Sequence, residues 1–577
     1  MTMLTKWGAA LDRSCPLPEY PRPQLRRESF YNLNGVWDYA ITASGDEPEV
    51  WDGEIVVPFS PEAPLSGAAR GPAKDEFLHY RRSFTLPDGF RKDRVLLHFG
   101  AVDQIAEVFV NGVSAVKHSG GYWPFSADIT SLLREGENVL CVTVRDNADD
   151  PTFAYGKQRY KRGGMWYTAQ SGIWQTVWLE SVPEVHIVSL RITPEFDDAR
   201  VRIELETAGE SRAAITCDVR AADGSFVAGS WAKGGVCVVP LPGFHAWTPD
   251  DPYLYALDIT CGEDHVESYF AMRKFSYVEH NGHKVFGLNN VPLFHNGLLD
   301  QGYYPDGLLT PPSDEAMVHD IETMKRCGFN MLRKHIKIEP LRWYYHCDRL
   351  GMIVWQDMVS GGQPYSFLHV SALPTLGVVD LPDKDAKPYG RSGMLSRARF
   401  RREMADTVRH LYNCPCIALW TVFNEGWGQF DAAKMYDFVR SIDPTRTIDH
   451  ASGWHDQGVG QVVSRHVYFR KYAFKADKKG RAVLLSEFGG YNHHVSGHCF
   501  NNKNFGYKNF ETPAQLEIAI EDLYQRQIGP AKMEGLAAAV YTQLSDVEDE
   551  LNGLMTYDRK VVKIAPESMR KAIDVGK

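Results

Sequence analysis

The sequence predicts three domains: a jelly-roll-like β-sandwich over residues 1–182, an Ig-like β-sandwich over 183–279, and a C-terminal (β/α)8, or TIM, barrel over 280–577. Three observations predict this. The chain has 577 residues, too many for a single hydrophobic core. Its first third reads as short strands parted by turn signals, with no helical periodicity of useful length. After about residue 280, apolar runs alternate with amphipathic helical stretches.

In the first domain, alternating or apolar runs recur at 35–40, 78–84, 95–99, 106–110, 138–144 and 175–179. Asn111-Gly112 and Glu135-Gly136 punctuate them, as hairpin turns do. Many short strands at such spacing suggest a sandwich. In the second domain, runs at 185–188, 200–206, 213–219 and 253–259 fit strands of an Ig-sized sandwich, with a Pro-rich loop at 247–252.

The barrel strands are expected at 291–296, 329–333, 352–357, 417–425, 446–451, 462–468, 483–487 and 537–543. Helices are expected between them, at 314–327, 341–350, 399–412, 432–441 and 513–527. Eight such units fit a (β/α)8 barrel, whose active site lies at the C-terminal ends of the strands. Each apolar run ends in a polar residue, which places polar groups at that face.

Composition narrows the function classes. The net charge of −10 and pI of about 6.1 argue against nucleic-acid binding, which wants a basic face. They argue mildly against a strongly anionic substrate. Aromatic residues make up 12% of the chain, and serve as core or as platforms for the apolar faces of sugars. The ten cysteines are scattered, so no disulfide framework is read. No secretory leader and no run of about 18 apolar residues is read, so the expectation is a cytoplasmic protein without a membrane partner. Homo-oligomerisation is left open.

Two carboxylates carry the chemistry. Glu425 closes the fourth strand after Asn424, and Glu487 closes the seventh; they are 487 − 425 = 62 residues apart. Strands four and seven can face each other across a barrel mouth. Glycosidic bonds are cleaved by two such carboxyl groups, about 5–5.5 Å apart in retaining enzymes. Glu425 is read as general acid/base and Glu487 as nucleophile, with Trp427 and Phe423 as the apolar wall that keeps the acid protonated. Arg333, at the end of the second strand, is the cation expected to keep the nucleophile ionised. The other mouth residues expected to meet substrate are Asp300, Asp357, His466, Tyr468, Gln543 and, from a sandwich loop, Trp166. His295, Asn296, Gln301, Asp546 and Glu548 lie near the same ends. His450 reads as structural. His493, His494 and His498 cluster without a carboxylate at ligand spacing, so no metal and no cofactor is expected.

The chain resembles glycoside hydrolase family 2, the β-galactosidase, β-glucuronidase and β-mannosidase group, over nearly its whole length. Tyr80-Arg81-Arg82-Ser83-Phe84, Phe109-Val110-Asn111-Gly112 and Ser171-Gly172-Ile173-Trp174-Gln175-Thr176-Val177-Trp178-Leu179 look like the family's sugar-binding sandwich. Gly328-Phe329-Asn330-Met331-Leu332-Arg333 looks like its second-strand motif. Trp420-Thr421-Val422-Phe423-Asn424-Glu425-Gly426-Trp427 and Ser486-Glu487-Phe488-Gly489-Gly490 look like its acid/base and nucleophile signatures. The resemblance implies a retaining double displacement, with Asn424 on the sugar 2-hydroxyl. It also implies a substrate-binding His after the second strand; here His335 stands one position early. The Asn-x-Lys by which family β-glucuronidases grip the sugar carboxylate is matched by Glu550-Leu551-Asn552, an acid with no Lys. A neutral β-glycoside is therefore expected, a β-galactoside first, with β-mannoside, β-glucoside and α-L-arabinopyranoside as alternatives. A non-catalytic carbohydrate-binding protein is the reading from another class, and transglycosylation is not separated from hydrolysis.

Overall fold

The computed structural model describes residues 3–209 and 214–574. The run expected at 213–219 begins outside them; its described part is the strand Ile215–Arg220. The first sandwich packs a four-stranded sheet on a six-stranded one. Their inner faces share a core built on Trp37, Leu78, Tyr80, Leu97, Val108 and Val142. Asn111 and Gly112 both take positive φ, 52° and 81°, in the two-residue turn between Ile105–Val110 and Val113–Ser119. That is what the Asn-Gly signal specifies, because both central residues of such a turn need the left-handed region. The second sandwich sets the three strands His186–Glu195, Arg200–Ala208 and Val236–Pro240 against a four-stranded sheet.

The barrel strands are β1 (His295–Asp300), β2 (Met331–Lys334), β3 (Ile353–Asp357), β4 (Ile417–Thr421), β5 (Thr447–Asp449), β6 (Val462–Val467), β7 (Ala482–Gly489) and β8 (Leu536–Thr542). All pair in parallel in the order β5-β4-β3-β2-β1-β8-β7-β6, so the ring is complete except for the β5–β6 seam, which has no ladder bonds. Helices α1 (Asp314–Arg326), α2 (Leu341–Leu350), α3 (Met394–His410), α4 (Ala432–Ile442) and α5 (Pro513–Leu523) follow β1, β2, β3, β4 and β7. Two features differ from the sequence reading. The first barrel strand is His295–Asp300, because 291–292 instead closes a small hairpin sheet below the barrel. The β5–β6 and β6–β7 connections carry no helix; the first is broken by Gly453, Gly458 and Gly460, all at positive φ.

The hairpin of Phe275–His280 and His283–Leu288 plugs the barrel bottom. Its Phe275, Val285, Phe286 and Leu288 form one cluster with Leu299, Met331, Ile353, Trp355 and Leu484 of the strands. His295 sits there too, stacked on Phe286 and accepting at Nδ1 from Trp355 Nε1 at 3.0 Å. We therefore propose the domain division 1–182, 183–279 and 280–577 with its second boundary moved to about residue 274, so that the plug stays with the barrel it closes. Among the described residues, no helix is long and apolar enough to cross a membrane.

The packing of the plug is testable. Phe286→Ala is expected to cost about 3–5 kcal/mol, the usual penalty for emptying a buried aromatic site. Urea unfolding followed by tryptophan fluorescence should show a lower midpoint, and Phe286→Leu should recover most of it.

Candidate active site

Arg333 organises the mouth of the barrel. It lies on β2, and its guanidinium is fully buried. Its Nε donates to Asp357 Oδ1 at 3.0 Å, and Nη2 to Asn424 Oδ1 at 2.8 Å. Nη1 donates to Glu487 Oε1 and to the Ser486 carbonyl, both at 3.1 Å. A planar fork with five N–H donors can serve four partners at once, and stays charged while buried.

Glu487 lies within β7, buried to 5% exposure. Burial opposes its charge, but His466, Arg333 and His335 together with a hydrogen bond from the Tyr468 hydroxyl outweigh burial and hold the carboxyl below its ordinary range. Asp357 ends β3 and serves as the anchor behind Arg333 and His335, whose Nδ1 lies 2.7 Å from Asp357 Oδ2. Burial again opposes the charge, yet those two partners hold Asp357 at about 2. Burial pushes His335 down to about 4, so it is neutral at pH 7, donating to Asp357 through Nδ1; Nε2, with no hydrogen bond among the described residues, can accept from a ligand in the pocket it lines.

Glu425 stands four residues beyond β4, in a turn rather than at the strand end. Its φ is 53°, a left-handed conformation that a non-glycine residue adopts at a cost of roughly 1–2 kcal/mol. Its backbone N–H donates to the Ser452 carbonyl at 2.9 Å, which pins the turn to the loop after β5. His466 on β6 lies between the two carboxylates, with Nδ1 2.9 Å from Glu425 Oε1 and 3.5 Å from Glu487 Oε2. A donor chain sets the polarity of that ring. Ser486 Oγ donates to the Arg465 carbonyl, and Ser452 Oγ donates to Ser486 Oγ. Ser452 Oγ therefore accepts from His466 Nε2, 3.2 Å away, which puts a proton on Nε2 and leaves Nδ1 for the carboxyls. Nδ1 faces Glu425 Oε1, and a proton shared between the two makes the bond.

The carboxyl oxygens of Glu425 and Glu487 and the His466 nitrogen all lie within 4.8 Å of one another. Among the described residues this is the one group of three such donors close enough to share an ion, and a metal there would occupy both carboxylates. His493 and His498 are otherwise engaged, with the Phe510 carbonyl and the Asp558 carboxylate.

The cleft above these groups is lined by Asn424, Glu425, Glu487, His335, Tyr468 and Trp166, all expected from the sequence. Trp166 reaches it from the first sandwich and meets Trp427 edge to face, with ring centres 5.2 Å apart. Asp300 differs from expectation: Lys334 Nζ at 2.6 Å and the Gly302 N–H at 2.9 Å turn its carboxylate away from the cleft. Gln543 stands behind the wall and accepts from Gln301 Nε2 at 2.8 Å, and it is Gln301 that lines the cleft. Sequence reasoning missed Lys157, Met165, Tyr365 and Tyr507 as wall residues. Tyr507 stacks on Tyr468 with ring centres 3.9 Å apart. A signal for it existed in Gly489-Gly490. Both have positive φ, and an added Cβ would stand 2.3 Å from the Tyr541 ring and 2.1 Å from the Tyr507 ring.

Comparison with known proteins places this site in a family. Residues 65–183 match "Glycosyl hydrolases family 2, sugar binding domain", 185–273 match "Glycosyl hydrolases family 2", and 312–515 match "Glycosyl hydrolases family 2, TIM barrel domain". The chain belongs to glycosyl hydrolase family 2. It is 27% identical over 433 residues to a β-galactosidase of Aeromonas hydrophila subsp. hydrophila, covering 71% of this chain and 38% of that protein. It is 25% identical over 477 residues to a β-galactosidase of Thermoanaerobacter pseudethanolicus, covering 79% and 58%. The chain thus spans about two-fifths to three-fifths of the length of these curated relatives. A β-glucuronidase structure from an uncultured Clostridium sp. superposes with a TM-score of 0.74 at 20% identity, covering 95% of this chain and 98% of that one, which is a likeness of fold.

The buried charge balance predicts a pH signature. Arg333→Met should lower stability at pH 7 by about 3–5 kcal/mol, because Asp357 and Glu487 lose a buried cation. Without it, burial raises both carboxyls above their unfolded values. They then take up protons on acidification, and the deficit relative to the parent should shrink between pH 7 and pH 5. Urea denaturation at the two pH values measures this.

Proposed function

We propose that the chain is a retaining exo-β-glycosidase acting on a neutral glycoside, a β-galactoside first, by double displacement through a glycosyl-enzyme. The observation that carries this reading is the approach of the Glu425 and Glu487 carboxyl oxygens to within 4.8 Å at the barrel mouth. Retaining enzymes hold their two carboxyls at about 5–5.5 Å, while inverting ones need about 6.5–9.5 Å to admit a water between them.

The roles follow from the environments. Glu487 is ionised by Arg333, His466 and the Tyr468 hydroxyl, and so attacks C1. Glu425, held by its bond to His466 Nδ1, is the general acid that gives a proton to the departing oxygen. Once the glycosyl-enzyme forms, Glu425 is the base that takes a proton from water. Asn424, held at its Oδ1 by Arg333, can offer its amide N–H to the sugar 2-hydroxyl. Trp427 lines the same cleft, and its buried Nε1 has no acceptor among the described residues.

The sugar is read from the far wall. Glu550 and Asn552 stand where a uronate-specific site would carry Asn and Lys, and Glu550 lines the cleft. Two curated relatives named β-galactosidase support the galactoside. β-Mannoside, β-glucoside and α-L-arabinopyranoside are the alternatives. A non-catalytic carbohydrate-binding protein would have no use for two carboxyls brought this close.

Release of nitrophenol from a panel of nitrophenyl glycosides tests the reading, and absence of turnover on every sugar by folded protein would sink it. Glu487→Gln should abolish turnover. Azide should rescue Glu425→Ala and give the β-azide; the inverted azide would mean that the two roles are exchanged. Tyr468→Phe removes a hydroxyl that favours ionised Glu487. It should lower kcat/KM by about 10- to 100-fold, and shift the acidic limb of the pH–rate profile to higher pH.

A further inference from the structure

The first sandwich sends a lysine into the catalytic cleft, and the fold goes to some length to put it there. Residues 154–158 are fastened to the barrel loop after β3. The Tyr155 and Gly156 N–H groups both donate to the Ser360 carbonyl, at 3.1 and 2.9 Å, and Ala154 bridges Gly361. Gly156 has φ 62°, and an added Cβ would stand 3.0 Å from both the Ile336 carbonyl and the Tyr122 hydroxyl, so a side chain here would be both strained and crowded. On the other side, buried Gln158 donates to Asp103 at 3.1 Å and to Tyr122 at 3.0 Å. The Lys157 carbonyl accepts from the Tyr167 N–H at 2.9 Å. Lys157 is thus held from both sides.

Lys157 lines the cleft together with Glu550, His335 and Gln301. Among the described residues its ammonium makes no hydrogen bond and no ion pair; Nζ lies 5.7 Å from the centre of the Tyr167 ring. Glu550 feels its charge without touching it. One Glu550 oxygen, Oε2, is taken by the buried Tyr167 hydroxyl. Burial raises the Glu550 carboxyl above its ordinary range despite the nearby Lys157.

We propose that Lys157 and Glu550 form a two-point clamp on the non-reducing sugar, closed by a hydroxyl that accepts from the ammonium and donates to the carboxyl. An unpaired donor and a neighbouring acceptor that do not reach each other suit a group that both gives and takes a hydrogen bond. A hydroxyl does so whether Glu550 is ionised or not. A carboxylate, sulfate or phosphate on the sugar would satisfy Lys157 but face both Glu550 and Glu487. The clamp therefore selects a neutral terminal sugar, and it rests on the glycosidase reading above. It also makes the first sandwich part of the specificity pocket.

The test uses the full-length protein, nitrophenyl glycosides of its best sugar, and the 3-, 4- and 6-deoxy forms of that glycoside. In the parent, one deoxy substrate should lose roughly 10- to 100-fold in kcat/KM. Lys157→Met should lose a similar factor on the full substrate and no longer distinguish that deoxy form; Lys157→Arg should keep part of the discrimination. Glu550→Gln should weaken discrimination at the same hydroxyl. Unchanged discrimination in Lys157→Met overturns the clamp, as does a Lys157→Met loss confined to uronides or phosphorylated glycosides. If the parent turns over no glycoside, the glycosidase reading fails instead. Calorimetric binding of the free sugars, galactose and its deoxy forms first, then decides the clamp by the same comparison, and equal affinity of parent and Lys157→Met for every sugar overturns it.

Discussion

The Arg333 guanidinium is the interaction on which the mouth of this barrel depends. One fully buried cation bonds Asp357 on β3, Asn424 after β4, and both Glu487 and the Ser486 carbonyl on β7. Ions of this kind are expensive to bury, and only a complete set of partners offsets the cost. Here the set is complete at Arg333: every one of its three nitrogens is used. The same bonds that satisfy the cation bring three strands of the mouth into register, so the charge and the geometry have one cause.

His466 is the second organising group, and it differs in kind. Arg333 supplies a fixed charge, whereas His466 is polarised by hydrogen bonds that run through Ser452 and Ser486 to the Arg465 carbonyl. A chain that ends on a carbonyl can point only one way. It turns Nδ1 toward Glu425, while Arg333 and the Tyr468 hydroxyl bond Glu487, so the two carboxyls meet different neighbours although they are within 4.8 Å. That asymmetry is what two chemically identical side chains need in order to take different parts.

The first sandwich is packed into the barrel rather than appended to it. Tyr122, Trp123, Tyr155, Tyr167 and Trp174 share one apolar cluster with Leu298, Leu332, Met358 and Trp427 of the barrel. Thr310, just beyond β1, donates to the Trp174 carbonyl at 2.7 Å. The loop that carries Lys157 and Trp166 starts from this seam, which is why it can present side chains to the cleft at defined positions.

The sequence by itself determined the three-domain class and the barrel, and it pointed to the pair Glu425 and Glu487. Apolar runs with period two or 3.6 report which face of an element is buried, and a polar residue at the end of such a run marks the face that stays open. Arg333 was legible for the same reason, because an arginine that closes an apolar strand needs a carboxylate. Only the tertiary structure decided that Asp300 turns aside to Lys334, that Glu425 sits in a left-handed turn beyond its strand, and that His466 joins both carboxyls. It alone placed Lys157 opposite Glu550, 393 positions away (550 − 157) and in another domain. Local periodicity carries no information about which distant side chains will share a cavity. That is set by how the sandwich docks on the barrel, through contacts such as the Ser360 carbonyl that no motif announces.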